Sequence, residues 1–284
     1  MKTILIISIT LLSVLDTLAQ DNSLLYEISG QDLDQSSYLF GTIHLMCPDD
    51  IRISDALKEK MQQTDQLVLE LDMDDPTIMQ QMQTGMVLPG GQTLWSLMNE
   101  AESNALDEFF QDSLGIPLSM MERYDPLMLT AVISTQMLHC QPGSYETVLV
   151  QLAQAQQAEV KGLETVEEQL AALRKIPVAE QVEYAVEMVE DYDSVYAEFM
   201  ELVAAYQAQQ VDTLYAVMRK TMDEVADMEQ YMLVERNQRW VPMMTEMMQV
   251  QPTFFGVGAG HLGGEQGVLA LLREQGYTVT PVEQ

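Results

Sequence analysis

The sequence predicts an α/β fold (or α+β): a central sheet with strands from both chain ends and the middle, and extensive helical insertions between them. Three observations predict it. Short apolar runs bounded by turn residues lie near both ends and near residues 66–71 and 158–163. The stretches between them carry apolar residues at spacings of three and four, the helical period. The chain closes on an apolar run, a glycine-dense loop, a helical pattern and a last apolar run, the order of a helix packed on a sheet.

In chain order, Lys2 precedes an apolar run from Ile4 to Leu15, and Thr17-Leu18-Ala19 then leads into Gln20-Asp21-Asn22. A basic start, an apolar run too short to span a bilayer and small residues at its end read as a secretory signal peptide over 1–19, cleaved after Ala19. The mature chain is then exported, periplasmic or extracellular, and no later stretch is long and apolar enough to cross a membrane. Residues 20–284 read as a single domain with a helical subdomain at about 172–250.

Leu24–Ile28 and Ser37–Gly41 predict a hairpin across Gly30-Gln31-Asp32, followed by a turn at Pro48-Asp49-Asp50. Ser54 caps a helix running to Gln63. Gln66–Leu71 is a strand with Glu70 and Asp72 at its carboxyl end, and residues 76–157 are mostly helical. Ala158–Leu163 is another strand. A long helical stretch from Val166 to Gln249 breaks near Pro177 and Pro242. Thr253–Val257, a loop over Gly258–Gly264, a helix over Gln266–Gln275 and a strand over Tyr277–Val282 complete the chain.

Forty-four acidic residues against thirteen Lys and Arg give a net charge of −31, which argues against nucleic acid or an anionic membrane as partner. The acids are scattered along helices and form no tract, so a solvated acidic surface accounts for them. Cys47 and Cys140 are the only cysteines, a disulfide candidate in an oxidising compartment. Such a bridge closes a loop of about a hundred residues, for which chain entropy gives roughly 4–5 kcal/mol.

Two of the three histidines end the same pattern: an apolar run, a glycine, two residues, then His-Leu. These are Gly41-Thr42-Ile43-His44 and Gly258-Ala259-Gly260-His261. Glycine permits a sharp turn at a strand end, and the histidine lands beyond the carboxyl edge of the sheet, where α/β folds bind ligands. His139, beside Cys140 on a helical stretch, reads as structural. Two imidazoles and the Glu70 carboxylate form a usual ligand set for a catalytic metal with an open water position. Glu70 or Glu164 can take the proton of that water, Arg236 can stabilise an oxyanion or a substrate carboxylate, and Asn237 can orient a neighbour. Each has a blander reading: Glu70 on an exposed edge strand, Glu164 at a helix cap, Arg236 as an ion-pair partner for the many surrounding acids. His-Glu-x-x-His is absent, so a zincin mechanism is excluded. Met243, Met244, Met247 and Met248 form a stripe on one helix face, read as core or as a greasy groove beside the site.

Five blocks in order extend the pattern: Phe40-Gly41-Thr42-Ile43-His44, Val68-Leu69-Glu70-Leu71-Asp72, Gly162-Leu163-Glu164-Thr165, Glu235-Arg236-Asn237 and Gly258-Ala259-Gly260-His261-Leu262. Together they resemble the TraB/GumN family, which includes Tiki-type metalloproteases and is related to erythromycin-esterase-like and ChaN-like proteins. The resemblance covers nearly the whole mature chain. It implies a site of His44, His261, Glu70 and Arg236, with a divalent ion (Mn, Co or Zn) held by His44, Glu70 and His261. The implied activity is metal-dependent cleavage of a peptide or protein. A metal-free esterase-like hydrolase, and a non-catalytic binder of a peptide, haem or metal ion, stand as the alternatives.

Overall fold

A computed structural model describes residues 22–222, 225 and 227–284; the expected signal peptide lies outside them. The elements are β1 (Leu25–Ser29), β2 (Ser37–Thr42), α1 (Asp55–Gln62), β3 (Gln66–Leu69), α2 (Ile78–Gly85), α3 (Glu100–Phe109), α4 (Pro126–Met137), α5 (Tyr145–Ala155) and β4 (Glu159–Gly162). They continue with α6 (Val166–Leu173), α7 (Val178–Glu190), α8 (Tyr192–Gln207), α9 (Val211–Met222), α10 (Glu235–Val250), β5 (Thr253–Gly258), α11 (Val268–Glu274) and β6 (Thr278–Pro281). The α/β class expected from the sequence is the one observed, and the sheet draws its strands from both ends and the middle.

The six strands run in the order β4-β3-β5-β2-β1-β6. β2, β5, β3 and β4 pair in parallel, whereas β1 is antiparallel to both β2 and β6. The inner strands β2 and β3 are buried at every residue, which is why they read as continuous apolar runs; the outer strands β4 and β6 each bury a single residue, Val160 and Val279. β3 is thus an inner strand, and the reading of Glu70 as an exposed edge residue is corrected.

Local signals place the helices. Ser54 accepts the Leu57 amide at the start of α1, Ser144 that of Thr147 at α5, and Thr165 with Glu168 forms a reciprocal cap on α6. Pro242 does not break the helix at its position, contrary to expectation: α10 runs through it. Pro242 lacks an amide to give to the Gln238 carbonyl, but both residues lie on the exposed side of α10, where water serves that carbonyl. The main core joins the sheet to α5, α10 and α11, and a second cluster lies among α3, α4 and α7. Met244 and Met248 are buried in the main core, so the methionine stripe is packing and not a groove.

The Cys47–Cys140 disulfide is present, tying the loop after β2 to the segment before α5. Beside it, Met46 and Gly143 exchange backbone hydrogen bonds. Among the described residues, no helix is long and apolar enough to cross a membrane.

Candidate functional site

β2 and β5 are neighbours in parallel, with Gly41 opposite Val257 and Thr42 opposite Gly258. That register carries both Gly-x-x-His segments past the same edge of the sheet, and β3, on the other side of β5, delivers Glu70 there. The glycines act by size. Gly258 has an ordinary negative φ, and Gly41 lies inside β2. A Cβ on Gly41 would meet Leu262 at 2.6 Å and the Ala259 backbone at 3.2 Å, so Gly41 lets the second histidine loop close on the first strand. The expected sharp glycine turn is replaced by a requirement for close approach.

His261 is buried and oriented by Asn237. Its Nδ1–H donates to Asn237 Oδ1 at 2.7 Å, while the Asn237 amide donates to Gln266 O (2.8 Å) and His261 O (3.4 Å). Those two carbonyl acceptors fix which way the amide faces, and so place the ring proton on Nδ1 and a lone pair on Nε2. Trp240 packs against the ring at 4.5 Å between centroids. Burial pushes the imidazole down to about 3; Glu70 opposes this, and Arg236 and His44 reinforce it.

His44 is held differently. Its Nδ1 pairs with Glu146 Oε1 at 2.8 Å, and the same oxygen accepts the Thr42 hydroxyl at 2.6 Å. Partial desolvation opposes a charge on the ring. The hydrogen bond and field of Glu146, then the field of Glu70, outweigh it and lift His44 to about 9. Its side chain is nonetheless 62% exposed, so solvent moderates that pairing. Glu146 is a member of the site that sequence reasoning missed.

Glu70 occupies the centre. Oε1 accepts the Gly258 amide at 2.7 Å, and Oε2 accepts Arg236 Nη2 at 2.5 Å. Burial would raise its carboxyl, but His261, Arg236, His44 and the Gly258 amide hold it down to about 2. The Nε2 atoms of His44 and His261 each lie 3.8 Å from the same Oε1, so they can be no more than twice that apart. A Cβ on Gly258 would sit 3.1 Å from Glu70 Oε1, 3.4 Å from His44 Nε2 and 3.6 Å from His261 Cδ2. The missing side chain leaves the space these three share.

Arg236 comes from the first turn of α10, just after a π-helical turn at Gln230–Val234. Its Nη1 donates to Met232 O and to His261 Nε2, both at 3.0 Å. Nε and Nη2 fork onto Glu164 at 3.1 and 2.7 Å. Glu164 is wholly buried and also accepts from Arg239 and Trp240, so four donor groups surround it. It stands behind Arg236 and does not line the cavity, and the α6 cap is Thr165. His139, outside the site, packs at a tilt against Tyr196 and takes the left-handed conformation just past α4.

A cavity of about 240 Å³ opens over His44, Arg236, Gly258 and His261. The donor types suit a divalent cation: two imidazoles whose Nδ1 atoms are engaged, both presenting Nε2 to one carboxylate oxygen. Their spacing is wider than ligation needs, and among the described residues no group of three or more His, Cys, Asp or Glu stands ready to hold an ion. Arg236 Nη1 now engages the His261 lone pair that an ion would take.

Comparison with known proteins gives the same blocks a context. The chain is 22% identical over 325 residues to Metalloprotease TIKI1 of Danio rerio, covering 93% of this chain and 64% of that protein. It is 23% identical over 324 residues to Metalloprotease TIKI2 of Danio rerio, covering 93% and 62%. The chain thus spans less than two thirds of the length of these curated relatives. No solved structure matches it. Residues 24–281 match the TraB/PrgY/gumN family, a span that runs from β1 to β6 and takes in every residue converging on Glu70, and the chain belongs to that family.

Proposed function

We propose that this chain is an exported, divalent-metal-dependent hydrolase that cleaves peptide bonds. The observation that carries the reading is the convergence of His44 Nε2 and His261 Nε2 on Glu70 Oε1, at 3.8 Å each, with both Nδ1 atoms tied back. These three residues would hold the ion, which when bound polarises a carbonyl and lowers the pKa of a bound water. Names of similar proteins as metalloproteases support the reaction class. The disulfide, with the amino-terminal segment, supports export. We read residues 20–284 as one domain with its helical subdomain at about 172–250.

Each remaining residue has a role of its own. Asn237 fixes the His261 tautomer, and Glu146 holds His44 by its Nδ1 and favours its protonated form, so His44 would have to give up its Nε2 proton to serve as a ligand. Glu164 anchors the guanidinium of Arg236 at the cavity wall, where its charge would favour negative charge developing on a carbonyl oxygen. Glu70 is the carboxylate that meets both histidines.

A second reading rests on the contact of Arg236 Nη1 with His261 Nε2 and on the His44–Glu146 pair. In it the chain hydrolyses without metal, with His44, oriented by Glu146, as general base in its deprotonated form, so that the rate rises with pH toward 9. One experiment separates the two: elemental analysis, then peptide-library cleavage by wild type and His44→Ala with and without a chelator. Bound metal and chelator-sensitive cleavage support the first reading; cleavage indifferent to chelator supports the second. A wild-type chain that takes up no divalent metal and cleaves nothing overturns both.

A further inference from the structure

The two histidines differ in what holds them. His261 is buried against Trp240, in a loop that Asn237 ties back from α10. His44 is carried past the end of β2 on an open loop, and its side chain is 62% exposed. Its ring is placed by Glu146 Oε1, a carboxylate that comes from the first turn of α5, 102 residues farther along the chain. Whether His44 faces Glu70 therefore depends on how the loop after β2 sits against the start of α5.

Those two segments meet through several small contacts. Met46 and Gly143 exchange backbone hydrogen bonds at 3.1 and 2.8 Å. A Cβ on Gly143 would meet Ile51 Cδ1 at 3.0 Å and Pro48 Cγ at 3.6 Å, so the glycine lets the loop close on the segment before α5. The Tyr145 hydroxyl accepts the Arg52 amide at 3.0 Å. A lone bridge of this kind, outside any strand, opens locally at little cost.

The Cys47–Cys140 disulfide fastens the same two segments covalently. Cys47 stands three residues after His44, and Cys140 stands six residues before Glu146. Each half of the bridge is thus a short tether to one member of the His44–Glu146 pair. Both cysteines are half-buried and have exposed neighbours, Pro48 and Asp49 beside one and His139 and Gln141 beside the other, so a small dithiol can reach the sulfurs.

We propose that the Cys47–Cys140 bridge is a positioning clamp for the His44–Glu146 pair, and that its reduction by a dithiol disarms the site while the sheet stays folded. The proposal rests on the metal-dependent reading above, and adds to it a redox control of one ligand. In the exchange a thiolate of the reductant attacks one bridge sulfur, the S–S bond breaks and the other cysteine leaves as its thiolate. The second thiol of the reductant then displaces the first cysteine. The reductant ends as a disulfide, and its two protons pass to the two cysteines. The loss falls on one ligand of three, because Glu70 and His261 are held by the Gly258 amide, Arg236 and Asn237, which lie on other segments. Ion binding is thereby reserved for an oxidising compartment.

The test compares oxidised wild type, wild type reduced with dithiothreitol and desalted under nitrogen, the same chain re-oxidised, and the double variant Cys47→Ala with Cys140→Ala. Calorimetric titration uses Mn, a hard ion that free thiols bind poorly, so the reduced chain gains no new ligand. Reduced chain and double variant should bind Mn roughly tenfold more weakly or worse, and re-oxidation should restore the affinity. Imidazole ¹⁵N spectra resolve the three histidines. The hydrogen-bonded Nδ1 signal of His44 should be lost on reduction while that of His261 stays, and His139, next to Cys140, reports the reduction itself. A staple with no positioning role would lower the melting temperature yet leave Mn affinity and the His44 signal in place well below it; that result overturns the proposal. Loss of the far-ultraviolet circular dichroism in both bridge-free forms also overturns it, by making the disulfide a requirement of the whole fold. If oxidised wild type takes up no Mn, the metal reading fails for that ion, and the His44 ring signal decides the clamp by itself.

Discussion

Gly258→Ala is the substitution that most directly probes the convergence of the three donors. Gly258 has φ −51° and ψ 133°, angles that alanine adopts freely, so the backbone has no objection. The added methyl would lie 3.4 Å from His44 Nε2 and 3.6 Å from His261 Cδ2, ordinary contacts, and 3.1 Å from Glu70 Oε1, which must yield by a few tenths of an ångström. Lost freedom of the unfolded chain favours alanine by about 0.4–1 kcal/mol, and the tight contact offsets much of that. Net stability should therefore change by less than about 1 kcal/mol, which for a chain of this size is a melting shift of about 4 °C or less. Yet the methyl stands among the three atoms that would hold an ion. Calorimetric titration with Zn, Mn and Co should show metal affinity at least tenfold weaker than wild type, with peptide hydrolysis falling in parallel. Wild-type metal affinity and turnover in a folded Gly258→Ala would refute the idea that the three donors act together over this glycine.

Three other substitutions or conditions probe the parts separately. Arg236→Leu leaves Glu70 and Glu164 buried without their shared cation, so urea unfolding should show a loss of about 3–5 kcal/mol; a loss under 1 kcal/mol would mean that Arg236 is not their partner. Asn237→Leu removes the acceptor of His261 Nδ1–H and should lower metal affinity about 10–100-fold, with a stability cost of about 1–3 kcal/mol. Asn237→Asp, which keeps an acceptor, should restore most of that affinity.

The pH dependence of stability follows from the three central groups. Glu70, held at about 2 when folded against 4.5, contributes stability above 4.5 that is lost as pH falls toward 2. His261, pushed from 6.5 to about 3, stays neutral in the fold while the unfolded chain takes up a proton, so it also removes stability as pH falls below 6.5. His44, raised from 6.5 to about 9, works in the opposite sense: its contribution is present below 6.5 and fades between 6.5 and 9. Urea midpoints measured from pH 3 to 10 without metal should peak near 6.5. The acid limb should be the steeper, because His44 is largely exposed and screened. Midpoints that climb steadily to pH 9 would contradict these assignments.

Much of this architecture is visible in residue order. The apolar runs at 37–42, 66–69 and 253–258 mark inner strands because both faces of each are buried, leaving no alternation to confuse with helix. The two Gly-x-x-His segments point to one place because their strands are parallel neighbours, although the glycines act through space and not through turning. Glu146 escaped because it lies in the first turn of α5, where an acid is unremarkable. The available signal was its position one turn before Val150 and beside Tyr145 and Leu149, an acid on the apolar face of its helix. Pro242 misled because a proline's cost depends on whether the orphaned carbonyl meets water, which residue order does not state. The methionine stripe at 243–248 could be core or groove by spacing alone. It became core when α10 packed on α11, and the open methionines are those of α9 and the π turn.

The strand order has a consequence for how the molecule comes into being. β5 lies between β3 and β2, so the two earlier parallel strands have no direct pairing and wait for a strand that follows α10. Until α10 and β5 arrive, Glu70 and Glu164 lack the arginine that neutralises them, and His44 has no facing imidazole. The centre of the sheet and the candidate site are therefore completed in the same late event, through contacts of very long sequence separation that close slowly. A chain stopped before residue 253 would carry Glu70, Glu164 and Arg236 but neither β5 nor His261, so the convergence on Glu70 Oε1 could not form.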